Sequence, residues 1–258
     1  MNESKQGRLI QSMARAAKIL EHLAYNGNNE SLSNISRALE LNKSTVFTLI
    51  STWEQLGYVQ QNQDTGKYSL GLKLFELGQV VYSSMDLRAN AMPFLRELAA
   101  QYGETVHLSV LSDGEVVYID KVASPRSIRI GSHIGGRNPA HCTGVGKILL
   151  SGLSEKQLDK IISEKGLRRF TESTITDPDE LKRHIRQVEI QGYALDKEEI
   201  EPGLFCVAAP IKNHQGTIIA AISLSGLADR MKQGNIEDIA AGLKETAKKI
   251  SRRFAYYE

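Results

Sequence analysis

Cysteine is nearly absent: Cys142 and Cys206 are the only two in 258 residues, and they form no CxxC pair. That excludes a disulfide framework and a cysteine-rich zinc module, and it suits a reducing compartment, so the expected location is the cytoplasm. Long apolar runs are missing too. No stretch approaches the ~18 apolar residues of a membrane helix, and the opening MNESKQGRLIQS has no apolar core of signal-peptide kind. No membrane partner is expected. An excess of one charge is also lacking, because a formal net charge of +2 over the whole chain is too small to attract nucleic acid in bulk. Any DNA contact must therefore be local. There is no internal repeat and no low-complexity segment. What is present is an ordinary globular composition, 41% hydrophobic and 24% charged, sufficient to bury cores in one or two domains.

Between Ser12 and Tyr25, apolar Ala16, Leu20, Leu23 and Ala24 recur at helical spacing, with Ser12 as the expected N-cap and the Asn26 to Asn29 run as the stop. Leu32, Ile35 and Leu39 predict a short second helix capped by Ser33. After a turn at Glu40 to Asn42, a third stretch carries Val46, Leu49, Ile50, Trp53 and Leu56 as one apolar stripe. Lys43, Ser44, Thr45, Phe47, Thr48, Ser51 and Thr52 fall largely outside it. Two helices on a tight turn, the second presenting small polar side chains, is the arrangement that enters a major groove. Gly57 to Leu70 then reads as two strands around an Asp64-Thr65-Gly66 turn, a wing from which Lys67 and the amides of Asn62 and Gln63 would face phosphates or the minor groove. The same pattern also suits three core-forming helices and a hairpin with no partner; the order of the elements favours double-stranded operator DNA. The expected contact set is Lys43, Ser44, Thr45, Phe47, Thr48, Ser51 and Lys67.

Residues 71–85 read as a helical connector without a Gly/Ser tract, and Asp86 to Tyr102 as an amphipathic helix that Pro93 kinks or breaks. From Glu104 the period changes. Thr105 to Leu111 and Val116 to Val122 predict a hairpin, and Ser127 to Gly131 a further strand. Helices are expected over Gly146 to Gly152, Glu155 to Lys165 and Asp177 to Gly192, the last with Asp177 as cap, Pro178 at the first helical position and Glu180 completing a capping box. Tyr193 to Glu198, Leu204 to Ile211 and Thr217 to Ser225 return to strand, and Asn235 to Phe254 closes as a helix. Strand groups separated by helices imply an α+β fold with a mainly antiparallel sheet.

Several stretches resemble one family. QSMARAAKIL from Gln11, LNKSTV from Leu41, LGYV from Leu56, YSLG from Tyr68, PAHCTGVGKILL from Pro139, GYALDKEE from Gly192 and GLFCVAAPI from Gly203 look like the IclR family of bacterial transcriptional regulators, in the family's order and over nearly the whole chain. Two positions depart from it: Glu40 stands where the family often has Gly in the turn, and Thr48 where it often has Arg. The resemblance implies a winged helix-turn-helix over 1–70, a linker helix over 71–85 and, over 86–258, a GAF-like sheet with flanking helices that binds a small-molecule effector. It also implies a homodimer or homotetramer. Carried over by position, the effector residues are Gly144, Val145, Asp196, Leu204, Cys206, Ser223 and Ser225, with Ile130 and Asn138 as weaker additions.

The residues support part of this independently. His141 to Lys147 is a glycine-bearing loop opening a helix, suited equally to holding an anion on free N–H groups and to making a tight turn; lacking GxxxxGK[ST], it is no P-loop. Ser223 and Ser225 share a strand face. The rival reading is an enzyme with Cys142 as nucleophile and His141 or His107 as base, although sequence neighbours seldom point at each other. A metal site built from His107, His133, His141, Cys142 and Cys206 has no recognised ligand spacing, so no metal and no cofactor is expected.

Overall fold

A computed structural model describes residues 9–83, 86–127 and 130–254. The chain divides into two compact units, 1–85 and 86–258.

The first unit opens with α1 (Gln11–Tyr25), α2 (Leu32–Ala38) and α3 (Lys43–Gln55). Ile19, Leu23, Ile35, Val46, Ile50, Val59 and Tyr68 form its core, with Leu49 and Trp53 packed against them. The indole N–H of Trp53 donates to the Ala16 carbonyl at 3.0 Å, which ties α3 to α1. Leu56 lies outside this core, 55% exposed, because the chain has already left the helix there. The caps also differ from expectation. α1 starts one residue ahead of Ser12 with Ile10 at its N-cap, where no side chain bonds. Ser31, not Ser33, caps α2 by accepting from the Asn34 N–H, since the helix begins at Leu32.

Helices α2 and α3 end in the same motif. After α3 the Tyr58 N–H reaches the Trp53 carbonyl and the Gly57 N–H that of Glu54, with Gly57 at φ +79°. After α2 the Leu41 N–H reaches Ser36 and the Glu40 N–H reaches Arg37, but the left-handed position is held by Glu40 at φ +53°. The turn is thus strained where the departure from the family suggested it.

The wing pairs β1 (Val59–Gln61) with β2 (Tyr68–Leu70) in antiparallel register. Glu30 adds an isolated bridge to Tyr68, and the Asn28 side-chain oxygen accepts from the Leu70 N–H at 2.6 Å, so the loop after α1 is tied to the outer edge of β2. At the wing tip the side-chain oxygen of Asn62 accepts from the Asp64 and Thr65 N–H groups, which engages it in the turn itself. A Cβ on Gly71 would sit 2.2 Å from the Gly57 carbonyl oxygen, so only glycine permits the wing to pass that close. Helix α4 (Leu72–Ser83) follows; Ser84 and Met85, the end of the expected connector, lie outside the described residues.

The second unit is a six-stranded sheet ordered β5-β4-β3-β8-β7-β6, every neighbouring pair antiparallel. Its strands are β3 (Thr105–Ser112), β4 (Glu115–Val122), β5 (Arg137–Pro139), β6 (Ala194–Lys197), β7 (Leu204–Lys212) and β8 (Ile218–Leu227). The added strand after β4 is β5. Within the Ser127 to Gly131 stretch, Ser127, Ile130 and Gly131 are not in strand, and residues 128–129 lie outside the described residues. Helix α5 (Asp86–Tyr102) runs through Pro93 without a break and packs with α10 (Ile236–Arg252) against β3 and β7. Helix α6 (Gly144–Ser151), backed by α8 (Pro178–Gln191), packs on β7 and β8, with α7 (Glu155–Lys165) and the short α9 (Ala228–Gln233) completing the layers. The two-way capping box forms at Ser154 and Gln157 before α7. Asp177 caps α8 by accepting from the Glu180 N–H, with Pro178 leading, a one-way bond where a box was expected.

The turn geometry yields a test. Glu40→Gly should raise stability by about 1 kcal/mol, the left-handed penalty of an L residue less the extra unfolded-state freedom of glycine. Urea unfolding of the two proteins measures it, and a less stable variant would show that Glu40 is not strained.

Candidate functional site

Two regions carry chemistry, one in each unit. In the first, Val46 and Ile50 turn α3 inward while Lys43, Ser44, Phe47 and Thr48 are exposed and Thr45 and Ser51 half-buried. No acidic residue lies in the first turn of α3. Thr48 Oγ1 donates to the Ser44 carbonyl at 3.0 Å and Thr52 Oγ1 to the Thr48 carbonyl at 2.9 Å. Lys67 is half-buried just before β2, on the far side of the wing turn.

In the second unit the sheet register builds a floor. Directly opposed residues of antiparallel strands face the same side. Asp196 on β6 opposes Cys206 on β7, which opposes Ser225 on β8. One row over, Ala208 opposes Ser223, which opposes His107 on β3 and then Lys121 on β4. Helix α6 covers this floor with its first turn. Thr143 caps it, accepting from the Gly146 N–H at 3.2 Å and donating to the Pro139 carbonyl at 3.1 Å. A Cβ on Gly146 would lie 2.2 Å from the Ala140 carbonyl oxygen, so glycine is required for the helix to start there.

Between floor and helix lies a cavity of about 330 Å³. Gly144, Val145, Asp196, Leu204, Cys206, Ser223 and Ser225 all line it, as do Ile130 and Asn138. Sequence reasoning missed ten further lining residues, among them His107, Tyr118, Ser132 and Ile200. The sequence suggests His107 only as a base or metal ligand; its place opposite Ser223 follows from a register that no single strand reveals.

Arg137 and Glu201 bring charge to the rim of the lining, whereas the strand floor is largely uncharged. Burial, with the Lys121 ammonium nearby, pushes His107 down to about 3, so its imidazole is neutral at physiological pH. Its Nε2 lies 2.7 Å from Ser132 Oγ, and its Nδ1 lies 3.4 Å and 3.5 Å from the hydroxyls of Ser225 and Ser223. The Lys121 ammonium donates to the carbonyls of Ile130 and Ser132, so the segment crossing the cavity mouth is held from two adjacent strands. Burial pushes the Tyr118 phenol up to about 12, and its oxygen accepts from the Asn138 amide at 3.0 Å.

Asp196 is the exception. Its Oδ1 accepts from the Glu199 N–H at 2.8 Å, whereas Oδ2 is buried without a hydrogen-bond partner among the described residues. Behind it Lys147, with no exposed surface, pairs with Glu199. That ammonium is committed to Glu199, and no ion pair among the described residues joins it to Asp196. Burial, reinforced by Glu199 and opposed by backbone N–H groups and Lys147, pushes Asp196 up to about 7.

The nucleophile reading fails on this geometry. Burial pushes the Cys142 thiol up to about 12, and the Asp196 and Glu199 carboxyls add to that, so almost no thiolate forms. His141 does not serve it either: its Nε2 is 3.0 Å from the Arg168 carbonyl, the Cys142 sulfur lies 4.0 Å from the Pro139 carbonyl, and no hydrogen bond among the described residues joins the two side chains. Cys206 is likewise pushed up, by burial and by Asp196. Among the described residues, no three His, Cys, Asp or Glu side chains gather as metal ligands, and no helix is long and apolar enough to cross a membrane.

Known proteins carry the same two halves. The IclR helix-turn-helix domain matches residues 12–63, and the bacterial transcriptional regulator IclR C-terminal domain matches residues 79–252. The HTH-type transcriptional regulator XynR of Escherichia coli is 37% identical over 248 residues, 96% of this chain and 98% of its own. KdgR of Dickeya chrysanthemi is 38% identical over 227 residues, 88% of this chain and 74% of that protein. Among solved structures, Thermotoga maritima IclR superposes with a TM-score of 0.75 at 34% identity, covering 96% of this chain and all of that one. An IclR homolog from Microbacterium hydrocarbonoxydans, complexed with 4-hydroxybenzoate, superposes with a TM-score of 0.82 at 26% identity, covering 95% of this chain and 99% of that one. These relatives are regulators, which leaves an enzymatic reading without support. With both domains matched and relatives this similar along their length, the chain belongs to the IclR family of bacterial transcriptional regulators, with a helix-turn-helix that binds DNA and a C-terminal domain that binds an effector.

Proposed function

We propose that the chain acts in the cytoplasm as a homodimer, or a pair of dimers, on an operator of two related half-sites, and that a small hydroxylated organic acid in the cavity sets its operator affinity. One recognition helix reads only a few base pairs, and pairing two supplies the remaining specificity. In this reading residues 1–70 are the winged helix-turn-helix, 71–85 the linker helix and 86–258 the effector-binding and oligomerisation domain. Lys43, Ser44, Thr45, Phe47, Thr48 and Ser51 face the groove, and Lys67 a phosphate.

The observation carrying the effector assignment is that the first turn of α6 and Asp196, a buried carboxyl without an ion-pair partner among the described residues, line one cavity of about 330 Å³. A helix N-terminus favours an anion. Asp196 favours a donor beside it, and Ser223, Ser225 and neutral His107 offer further hydroxyl partners. Val145, Leu204 and Ile130 supply an apolar wall. A carboxylate with a hydroxyl meets all of these, and the 4-hydroxybenzoate bound by the Microbacterium homolog is such a molecule. The effector changes operator affinity only by its differential binding to two states, typically about 1 to 3 kcal/mol of coupling.

Filling the cavity from β8 should abolish the response. Ser223→Phe is expected to bind operator within about twofold of wild type yet show no change on adding a hydroxy acid that shifts the wild type by the ~5-fold or more that such coupling implies. Gel-shift titration from a panel beginning with 4-hydroxybenzoate measures this, and an undiminished response would move the effector site elsewhere.

Asp196 makes effector binding pH-dependent. Below about 7 it is protonated, and an anionic ligand meets a neutral group; above, it meets a carboxylate that repels it. Affinity for the acid should therefore fall as pH rises from about 6 to 8, by up to roughly tenfold for each unit above the Asp196 pKa. Asp196→Asn should flatten that fall, and the difference between the two calorimetric profiles belongs to Asp196. Affinity that rises with pH in the wild type would point instead to an ammonium-bearing effector.

A further inference from the structure

An aromatic side chain stands exposed in the middle of the helix read as entering the groove. Phe47 is 54% exposed, whereas the residue before it, Val46, is completely buried. A bare phenyl ring on a surface helix gains nothing from water, and its nearest neighbours on that face are Lys43, Ser44 and Ser51, one turn to either side. Lys43 gives the face a positive charge, and the first turn of α3 holds no carboxylate, so the face suits a polyanion.

The polar groups beside Phe47 are less available than their number suggests. Thr48 donates its hydroxyl hydrogen to the Ser44 carbonyl and Thr52 donates to the Thr48 carbonyl, so both donors are engaged within the helix. A threonine held this way keeps an acceptor lone pair and an uncommitted methyl, and Thr48 is exposed. The centre of the face is thus apolar: the Phe47 ring with the Thr48 methyl, flanked by Lys43 and Ser44. In the major groove only one base edge is apolar, the 5-methyl of thymine.

We propose that Phe47 is a specificity-determining residue that recognises a thymine through its 5-methyl group, with Thr48 contributing its methyl rather than a hydrogen bond. The inference rests on α3 entering the major groove. It assigns discrimination at one base position to burial of a methyl, where a guanidinium at position 48 would instead select guanine.

Uracil lacks that methyl and is otherwise identical in the groove. The full chain is used to select binding duplexes from a random library, and each thymine of the winning sequence is replaced in turn by deoxyuridine. One thymine in each half-site should respond, its replacement weakening wild-type binding about fourfold, the worth of one buried methyl. Phe47→Ala should bind the thymine and uracil duplexes equally, and Phe47→Leu should keep part of the difference. Because Phe47 lies outside the core, thermal midpoints of both variants should match wild type, which separates lost recognition from lost folding. If every uracil replacement is neutral, or if Phe47→Ala still discriminates, the thymine assignment is wrong. Ser44→Ala distinguishes the two layers: a change in selected sequence with no uracil effect sinks the thymine contact alone. No selected sequence, or one unaffected by Lys43→Ala, Ser44→Ala and Phe47→Ala, sinks the groove reading and the assignment with it.

Discussion

A lysine with no exposed surface must find a carboxylate, and the effector half of this protein is organised around that need. Lys147 lies one turn inside α6 and Glu199 just beyond β6, so their buried pair fastens the helix to the end of the sheet. Thr174 and Thr171 donate to the carbonyls of Glu199 and Glu198 at 2.7 Å each, which holds the carboxylate's own backbone from the other side. Removing one partner of such a pair leaves an uncompensated buried charge, at a cost of about 3 to 5 kcal/mol. With the pair formed, the start of α6 is fixed above β6 and β7, and the cavity is the space left between them. The pair also leaves Asp196 as a second buried carboxyl without an ammonium of its own, so the burial that raises its pKa is only partly offset by Lys147 and the backbone N–H groups.

The sheet contributes by parity. On β7 and β8, alternate residues face α6 and the cavity, among them Cys206, Ala208, Ala221, Ser223 and Ser225, and small side chains predominate there because a helix and a ligand space must both fit. A completely antiparallel order then lines up polar residues from strands far apart in sequence. His107 reaches Ser223 only because β3 neighbours β8. Its neutral imidazole links the serines to Ser132 at the cavity mouth, so the floor of the site and the segment above it share hydrogen bonds.

The DNA-binding half follows a different rule, a core formed by one stripe on each helix. Trp53 and Tyr68 fix α3 and the wing about that core, and the Glu30 bridge extends the wing sheet to the loop before α2. The outer face of α3 is left to side chains that the core does not need. There the hydroxyls of Thr48 and Thr52 turn back onto the helix, so an apparently hydroxyl-rich surface offers fewer outward donors than its composition indicates.

Long periodic elements were legible in the sequence. Helix α7 spans the stretch its pattern predicts, Pro178 and Asp177 mark the start of α8, and the apolar stripe of α3 is its buried face except at Leu56. Those features depend on local spacing, which a chain carries wherever it folds. Some short elements and caps were not: β5 has three residues, α9 has six, and Ser31 rather than Ser33 caps α2, because at that length tertiary packing outweighs propensity. The cavity divides the same way. Its motif positions were readable by family resemblance, and the serine pair by its period of two. By itself the sequence determined two apolar-cored halves, the face of each long helix and the left-handed demand placed on Glu40. Only the tertiary structure decided that His107, Tyr118 and Ser132 join the serines, that Lys147 pairs with Glu199, and that Asp196 is left without a cation, because strand order and burial, which set those distances and the local dielectric, are properties of the packed sheet and not of any segment.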